Sequence, residues 1–372
     1  MEKIYLDNAA TTKPDETALK SAVEFTSGGG FYNPSALYSG GREIHNCVEN
    51  CRQNLLKLFG KNYDVVFTSC GSESDNMAIF SFCRRGRCIT DDGEHSAVNN
   101  AFKQLKQLGR EIRFASLNKN GSVNVEKLLE LVDDNTSFVS IVHVNNETGA
   151  INDVNKIAKL IKKKNPSVIF HTDGVQGFLK IPFVPSPDID LYSISAHKIC
   201  ALKGVGALVY KKNLHLQPLI FGGGQEKGLR SGTENTFGLH VFNSMIEKHS
   251  CVNENYENVS KLNRTFKELL TKDAVFISDD SCSPYIVSFS LPGVKAEIMQ
   301  RVLDDEGIIV GTGSACSSKI GVSRIITNCG YEKRIAEGVL RVSFIYDTPI
   351  ENVIKAAETI NTCYQKLKRA LK

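Results

Sequence analysis

The stretch from about residue 64 to 210 constrains this chain more than any other. Short apolar runs alternate there with segments of helical periodicity. "DVVFT" (64–68), "RCIT" (87–90), "SFVSIVHV" (137–144), "SVIFHTD" (167–173), "LYSIS" (191–195) and "GALVY" (206–210) read as strands. Between them, "SESDNMAIFSFCRR" (72–85), "AVNNAFKQLKQL" (97–108) and "VNKIAKLIKKK" (154–164) read as helices. A strand buried on both faces needs continuous apolar side chains, and a helix lying on it needs one apolar stripe. The alternation predicts an α/β fold with a largely parallel sheet between helices. Sites in such sheets lie just beyond the carboxyl ends of the strands.

After "FGGGQEKGLRSGT" (221–233) the pattern changes. A long helical stretch over 236–272 leads into "YIVSFSLPGV" (285–294) and helix-like "AEIMQRVLDDEG" (296–307). The C-terminal third reads as a smaller α+β domain, with the long helix as hinge and a boundary near residue 250. A length of 372 residues suits two domains.

Composition narrows the function. At 41% hydrophobic and 23% charged, the chain can bury a large core. Its net charge is +4, and the densest basic run, Lys162, Lys163 and Lys164, ends an amphipathic helix and reads as a solvated face. Nucleic acid is not an expected partner. No apolar run approaches the roughly 20 residues of a membrane span, and "MEKIYLDNAATT" carries no apolar core of a signal peptide. The eleven cysteines are scattered, without a CxxC pair. Cys47 and Cys51, four apart, read as helix packing. Free thiols suggest a reducing cytoplasm.

The polar residues collect where strands stop. Ser69-Cys70-Gly71-Ser72 follows the first strand and enters a helix, a turn that offers backbone N–H groups to a phosphate or a plain serine cap. Glu94-His95-Ser96, Asn145-Asn146-Glu147, Asp173 and His197-Lys198 follow the next four. Each alone has a bland reading as a turn, a cap or a surface lysine; five successive strand ends would share one cleft. A histidine ring, a buried carboxylate, an amide, a lysine and a phosphate cradle fit pyridoxal phosphate. That cofactor needs a lysine for its Schiff base and an anion at its pyridinium nitrogen.

The chain resembles the cysteine desulfurases of the class V aminotransferase branch of fold-type I pyridoxal phosphate enzymes. The matching residues are "YLDNAATT" (5–12), "NPSALYSGGR" (33–42), "VVFTSCGSESDN" (65–76), "EHSAV" (94–98), "SIVHVNNETG" (140–149), "HTDGVQ" (171–176), "SAHKICALKGVGAL" (195–208), "GGGQEKGLRSGT" (222–233) and "GTGSACSS" (311–318). They run in family order across nearly the whole chain. The resemblance implies a seven-stranded, mostly parallel sheet in a large cofactor-binding domain, residues 13–250. A small α+β domain would comprise 1–12 and 251–372 and carry the active-site cysteine loop.

By the same resemblance, Lys198 matches the Schiff-base lysine. Gly71, Ser72, Ser195 and His197 match the phosphate site. Thr233 matches the residue that reaches the cofactor of a neighbouring subunit, which implies a homodimer. Asp173 matches the pyridinium partner, Gln176 a donor to the ring oxygen and His95 the stacking ring. Asn145 or Asn146 lies near the ring, with Asn146 favoured by position. Asn33 and Arg341 match groups holding the substrate carboxylate. Cys316 matches the nucleophile that takes sulfur from L-cysteine, leaving alanine and a persulfide for an acceptor such as an iron–sulfur scaffold or a tRNA-thiolation protein. A selenocysteine lyase or another enzyme of the branch is the alternative. The other ten cysteines read as inert packing. Three departures from the family pattern stand out: Cys200-Ala201-Leu202 where Tyr-Gly-Pro is usual, Gly174 for alanine, and no glycine after Arg341-Val342-Ser343. The segment from Cys316 to Arg341 is slightly short for the housekeeping type.

Overall fold

The computed structural model describes residues 3–313 and 322–370. Seven strands form the larger sheet, in the spatial order Tyr63–Thr68, Gly206–Lys211, Leu191–Ser195, Ile169–Asp173, Thr136–Ser140, Arg87–Asp91 and Glu111–Ala115. All run parallel except Gly206–Lys211, which is antiparallel to both neighbours. Its reversal leaves Thr68, Ser195, Asp173, Ser140 and Asp91 ending on one edge. The two faces of the sheet feed separate apolar cores. Val66, Phe102, Phe138 and Leu208 lie with one set of helices, and Val65, Tyr192, Ile194 and Val209 with another.

The predicted helices form at Gly71–Phe82, Ser96–Gln107 and Val154–Lys164. Asp153 caps the last of these by accepting from Lys156 N. Lys162 corrects the reading of its run as solvated: its ammonium bonds Asp190 at 2.6 Å, leaving only Lys163 and Lys164 outward. The strand "SFVSIVHV" is shorter than its apolar run, because pairing ends at Ser140. Beyond it, Ile141 and His143 still donate to the carbonyls of His171 and Asp173. The edge strand Glu111–Ala115 escaped the apolar pattern because Arg113 faces solvent.

The stretch over 236–272 is two helices, Thr236–Glu247 and Val252–Leu269, parted by a short tight turn, Lys248–Cys251. Apolar spacing is lost across that turn. Downstream, Gly311–Thr312, Val339–Ser343, Ile286–Ser290 and Val275–Phe276 form a four-stranded antiparallel sheet. The N-terminal strand Ile4–Tyr5 pairs in parallel with Ile308–Ile309. Ile4, Leu6 and Ala9 are accordingly buried with Phe266, Phe289, Leu340 and Ile360, far away in sequence. No helix among the described residues is long and apolar enough to cross a membrane.

Candidate active site

Lys198 ends a short turn, Ala196–Lys198, that follows directly on the strand Leu191–Ser195. Its ammonium donates to the carbonyls of Ala9 and Ala10, each at 2.6 Å. Gln176 Nε2 donates to the same Ala9 carbonyl at 2.8 Å, and its Oε1 accepts from Lys180 Nζ at 3.0 Å. The N-terminal segment thus forms one wall of the lysine pocket. His197 reinforces that wall: its carbonyl accepts from Thr12 N, and its Nδ1 lies 3.1 Å from Thr11 Oγ1. Burial, with Lys198, Lys180 and Lys203 nearby, lowers His197 to about 4, so the ring is neutral at pH 7.

Asp173 closes its strand buried, with Oδ1 accepting from Val175 N at 2.9 Å. Burial pushes its carboxyl upward, while His95 and Lys198 pull it back. A protonated ring nitrogen would add a further cation beside this carboxylate. His95 caps the helix Ser96–Gln107, its Nδ1 accepting from Ala97 N at 3.2 Å. Burial lowers its pKa against the pull of Asp173. Asn145 and Asn146 separate by their bonds. Asn145 spends its amide on the Gly93 carbonyl and on Glu147 N and Thr148 N, a purely structural set. Asn146 Oδ1 is buried without a partner.

The cradle is built by close approach. A Cβ on Gly71 would come within 2.7 Å of Val175 Cγ2 and 3.2 Å of Ser195 Cβ, so only glycine fits. Ser72 is exposed in the first helical turn, where backbone N–H groups point outward. Two ion pairs hold the segment 222–233 against this end of the sheet. Arg52 meets Glu226 at 2.7 Å, both buried, and Glu226 also accepts from Phe67 N. Arg230 meets Glu73 at 2.9 Å. Thr233 stands exposed at the end of that segment.

Arg341, on the strand Val339–Ser343, is buried and already engaged. Nη2 bonds Asp7 Oδ1 and Nη1 donates to the Asn146 carbonyl, both at 2.7 Å, while Nε has no partner. Nε is therefore the one nitrogen of the fork not yet committed. Asn33 is not brought to it: the side chain is exposed and accepts from Ser35 N within its own turn. Cys316 lies outside the described residues. Of the other cysteines, Cys47 and Cys251 are exposed and Cys70 is half-buried, so the reading of all ten as inert packing is too broad. Cys51, Cys282 and Cys329 are buried thiols whose pKa burial raises.

Behind Asp173 lies a group of polar residues of which only Glu94 was singled out in the sequence. His171 bonds Ser140 Oγ through Nδ1 and Ser193 Oγ through Nε2, each at 2.9 Å. Ser140 in turn donates to Glu94 Oε1 at 3.2 Å. Asp75 and Glu94 are fully buried, and burial beside other carboxyls raises both well above the ordinary range. Burial thus favours the protonated form of both, while the nearby His95 and Lys198 favour the charged form of Asp173. Lys180, buried beside Gln176, is a further residue not singled out, and nothing in composition marks a lysine as buried.

The family model for class-V aminotransferases matches residues 4–355. The chain belongs to the class-V aminotransferase family, in its cysteine desulfurase branch. It is 33% identical to the cysteine desulfurase IscS of Dictyoglomus turgidum (strain DSM 6724 / Z-1310), over 98% of this chain and 95% of that one. A solved NifS-like protein superposes with a TM-score of 0.91 at 31% identity, covering 98% of this chain and all of the other. The structure described as SspA in complex with cysteine superposes at 0.79 with 27% identity, over 92% and 98% of the two chains.

Two departures from the class-V pattern have local causes. Alanine is usual at position 174, but here a Cβ would fall 1.9 Å from Tyr192 Cε1. The Tyr192 ring occupies the space, its hydroxyl 2.9 Å from His143 Nδ1. Where glycine usually follows the Arg341 segment, Phe344 and Ile345 instead pack into the cores beside them.

Proposed function

We propose that this cysteine desulfurase uses pyridoxal phosphate bound at Lys198 to convert L-cysteine to L-alanine, leaving the sulfur as a persulfide on Cys316. One observation supports this most. Lys198, Asp173, His95 and Asn146 follow four neighbouring strands on one sheet edge, beside a glycine-only helix start. When bound, the cofactor supplies an aldehyde that takes the substrate amine and a protonated ring that draws electrons from Cα.

The chain's own groups do the rest. Asp173 holds negative charge at the ring nitrogen. Gln176, with Oε1 committed to Lys180, can present only its amide donor to the ring oxygen. Neutral His95 can stack and can accept a proton. Lys198, held by two carbonyls, is the amine placed to move the Cα proton. Arg341 orients the substrate carboxylate through Nε, and Asn33 would have to turn inward to assist. The Cys316 thiolate attacks the substrate sulfur: an S–S bond forms, the C–S bond breaks, and its electron pair stays with carbon, which a proton then completes.

The same reading divides the chain at 13–250 and at 1–12 with 251–372, and makes it a cytoplasmic homodimer. Exposed Thr233 would reach the phosphate site of the second subunit. The persulfide passes to an acceptor protein, for which iron–sulfur scaffolds and tRNA-thiolation proteins have suitable chemistry.

The test is Cys316→Ser. The purified variant should stay yellow and change its absorbance on adding cysteine, yet release almost no alanine, because a serine hydroxyl is a poor nucleophile toward sulfur. Mass spectrometry of the wild type should find added sulfur on the peptide containing Cys316. Normal alanine release from cysteine by the variant would end the reading. Retained activity on selenocysteine alone would favour the lyase.

A further inference from the structure

Glu147 touches neither Lys198 nor Asp173, yet it sits where the chain on either side of Cys316 comes together. Its Oε2 accepts from the Ser323 hydroxyl. A Cβ on Gly313 would come within 3.0 Å of the same Oε2 and 3.2 Å of Ser323 Cβ. Gly313, Ser323 and Glu147 therefore meet at one point. Gly313 lies three residues before Cys316 and Ser323 seven after it.

The far side is anchored twice more. Ser323 Oγ accepts from Ile325 N and Ile326 N, capping the turn Arg324–Asn328. The Arg324 guanidinium donates to the carbonyls of Asp92 and Glu94, and Asn328 Nδ2 donates to Asp92 as well. The Glu94 carbonyl belongs to the residue preceding His95. Glu147 itself follows Asn146, whose carbonyl holds Arg341. One anchor thus rests on the turn bearing His95, the other on the turn bearing Asn146.

We propose that Glu147 and Arg324 form a two-point clamp that fixes, relative to the Lys198 pocket, both ends of the segment carrying Cys316. The two are positioning residues, and the proposal rests on Cys316 being the nucleophile. The electrostatics suit a buried clamp. Burial raises the Glu147 carboxyl to about 7, opposed by the Ser323 hydroxyl and the guanidinium groups of Arg341 and Arg324. The Cys329 thiol also feels this carboxyl. A thiol that must meet a bound sulfur in line loses much of its rate for a misplacement of about 1 Å.

The experiment compares cofactor-loaded wild type, Glu147→Ala, Ser323→Ala, the double variant and Cys316→Ser in a single turnover with cysteine. The absorbance change on binding cysteine should keep its wild-type rate and amplitude in all of them. Alanine release should slow by about 10- to 100-fold in Glu147→Ala and in Ser323→Ala, the loss typical of a small misalignment. The double should be no slower than the slower single, because both remove the same Glu147–Ser323 bond and the cap of Ile325 and Ile326 is already lost in Ser323→Ala. Glu147→Gln, which keeps an acceptor oxygen, should recover most of the rate. Wild-type alanine release in Glu147→Ala and Ser323→Ala beside an inactive Cys316→Ser overturns the clamp alone. Multiplied losses in the double overturn it as well. Normal release in Cys316→Ser overturns the nucleophile and the clamp together.

Discussion

Gln176 and Lys198 donate to one oxygen, the Ala9 carbonyl, at 2.8 and 2.6 Å. A residue near the N-terminus thus sets the resting position of two groups proposed to hold the cofactor. Lys198→Ala should retain the fold but lose turnover, and Lys198→Arg should not restore it, since a guanidinium stays protonated and forms no imine. Alanine formation by the purified variants measures this; activity in Lys198→Ala would remove the lysine from its role.

Asp173→Asn keeps the shape and loses the charge. Removing a well-placed electrostatic group costs about 10²-fold or more in kcat. Steady-state kinetics at full cofactor occupancy should show that drop, and a wild-type kcat would contradict it.

Arg341 divides its fork between Asp7 and the Asn146 carbonyl and keeps Nε free. Lysine can replace one of these two bonds but not both, and it has no third donor at the place of Nε. Arg341→Lys should raise KM for cysteine, because one ammonium cannot hold Asp7 and the Asn146 carbonyl and still donate where Nε does. Unchanged kcat and KM would mean that the carboxylate is held elsewhere.

Burial lowers Lys180 to about 7. The unfolded chain holds this proton up to about 10.4. Between those values the unfolded state binds more protons, so this lysine makes the fold more stable as pH rises. The Tm of wild type minus that of Lys180→Met should therefore increase from pH 7 to pH 9. A flat difference would show that Lys180 keeps its proton when folded.

Gly174→Ala should destabilise the protein by about 1–3 kcal/mol, the range for overpacking a filled core. The added methyl meets the Tyr192 ring at 1.9 Å. Adding Tyr192→Leu should recover part of the loss in a denaturant melt. Full stability in Gly174→Ala would show that the ring moves aside freely.

Much of the fold was legible because two periodicities, of strand and helix, are imposed by burial and survive in the residues themselves. Asp173, His95 and Lys198 were legible because each ends such a run. Three things were not. Asp75, Glu94 and Lys180 are buried by distant segments, and a carboxylate or lysine looks the same in sequence whether it faces water or a core. The break at Lys248–Cys251 is a tight turn without glycine or proline to announce it. Position in the sequence favoured Asn146 over Asn145, but the reason was not legible: the neighbouring turn consumes the Asn145 amide.

The N-terminal segment also bears on how the protein is made. Ile4 and Tyr5 have their strand partners at Ile308 and Ile309, while Ala9 and Ala10 supply the acceptors for Lys198. On the ribosome Ile4 and Tyr5 emerge well before those partners, and the seven-stranded sheet can assemble while they are still unpaired. The segment that walls the lysine pocket is therefore tied down at its strand end only after the pocket's own residues have been made. Chains stalled short of Ile308 should carry a formed large sheet with Ile4 and Tyr5 still open to proteolysis, and protection of that strand in them would overturn this order.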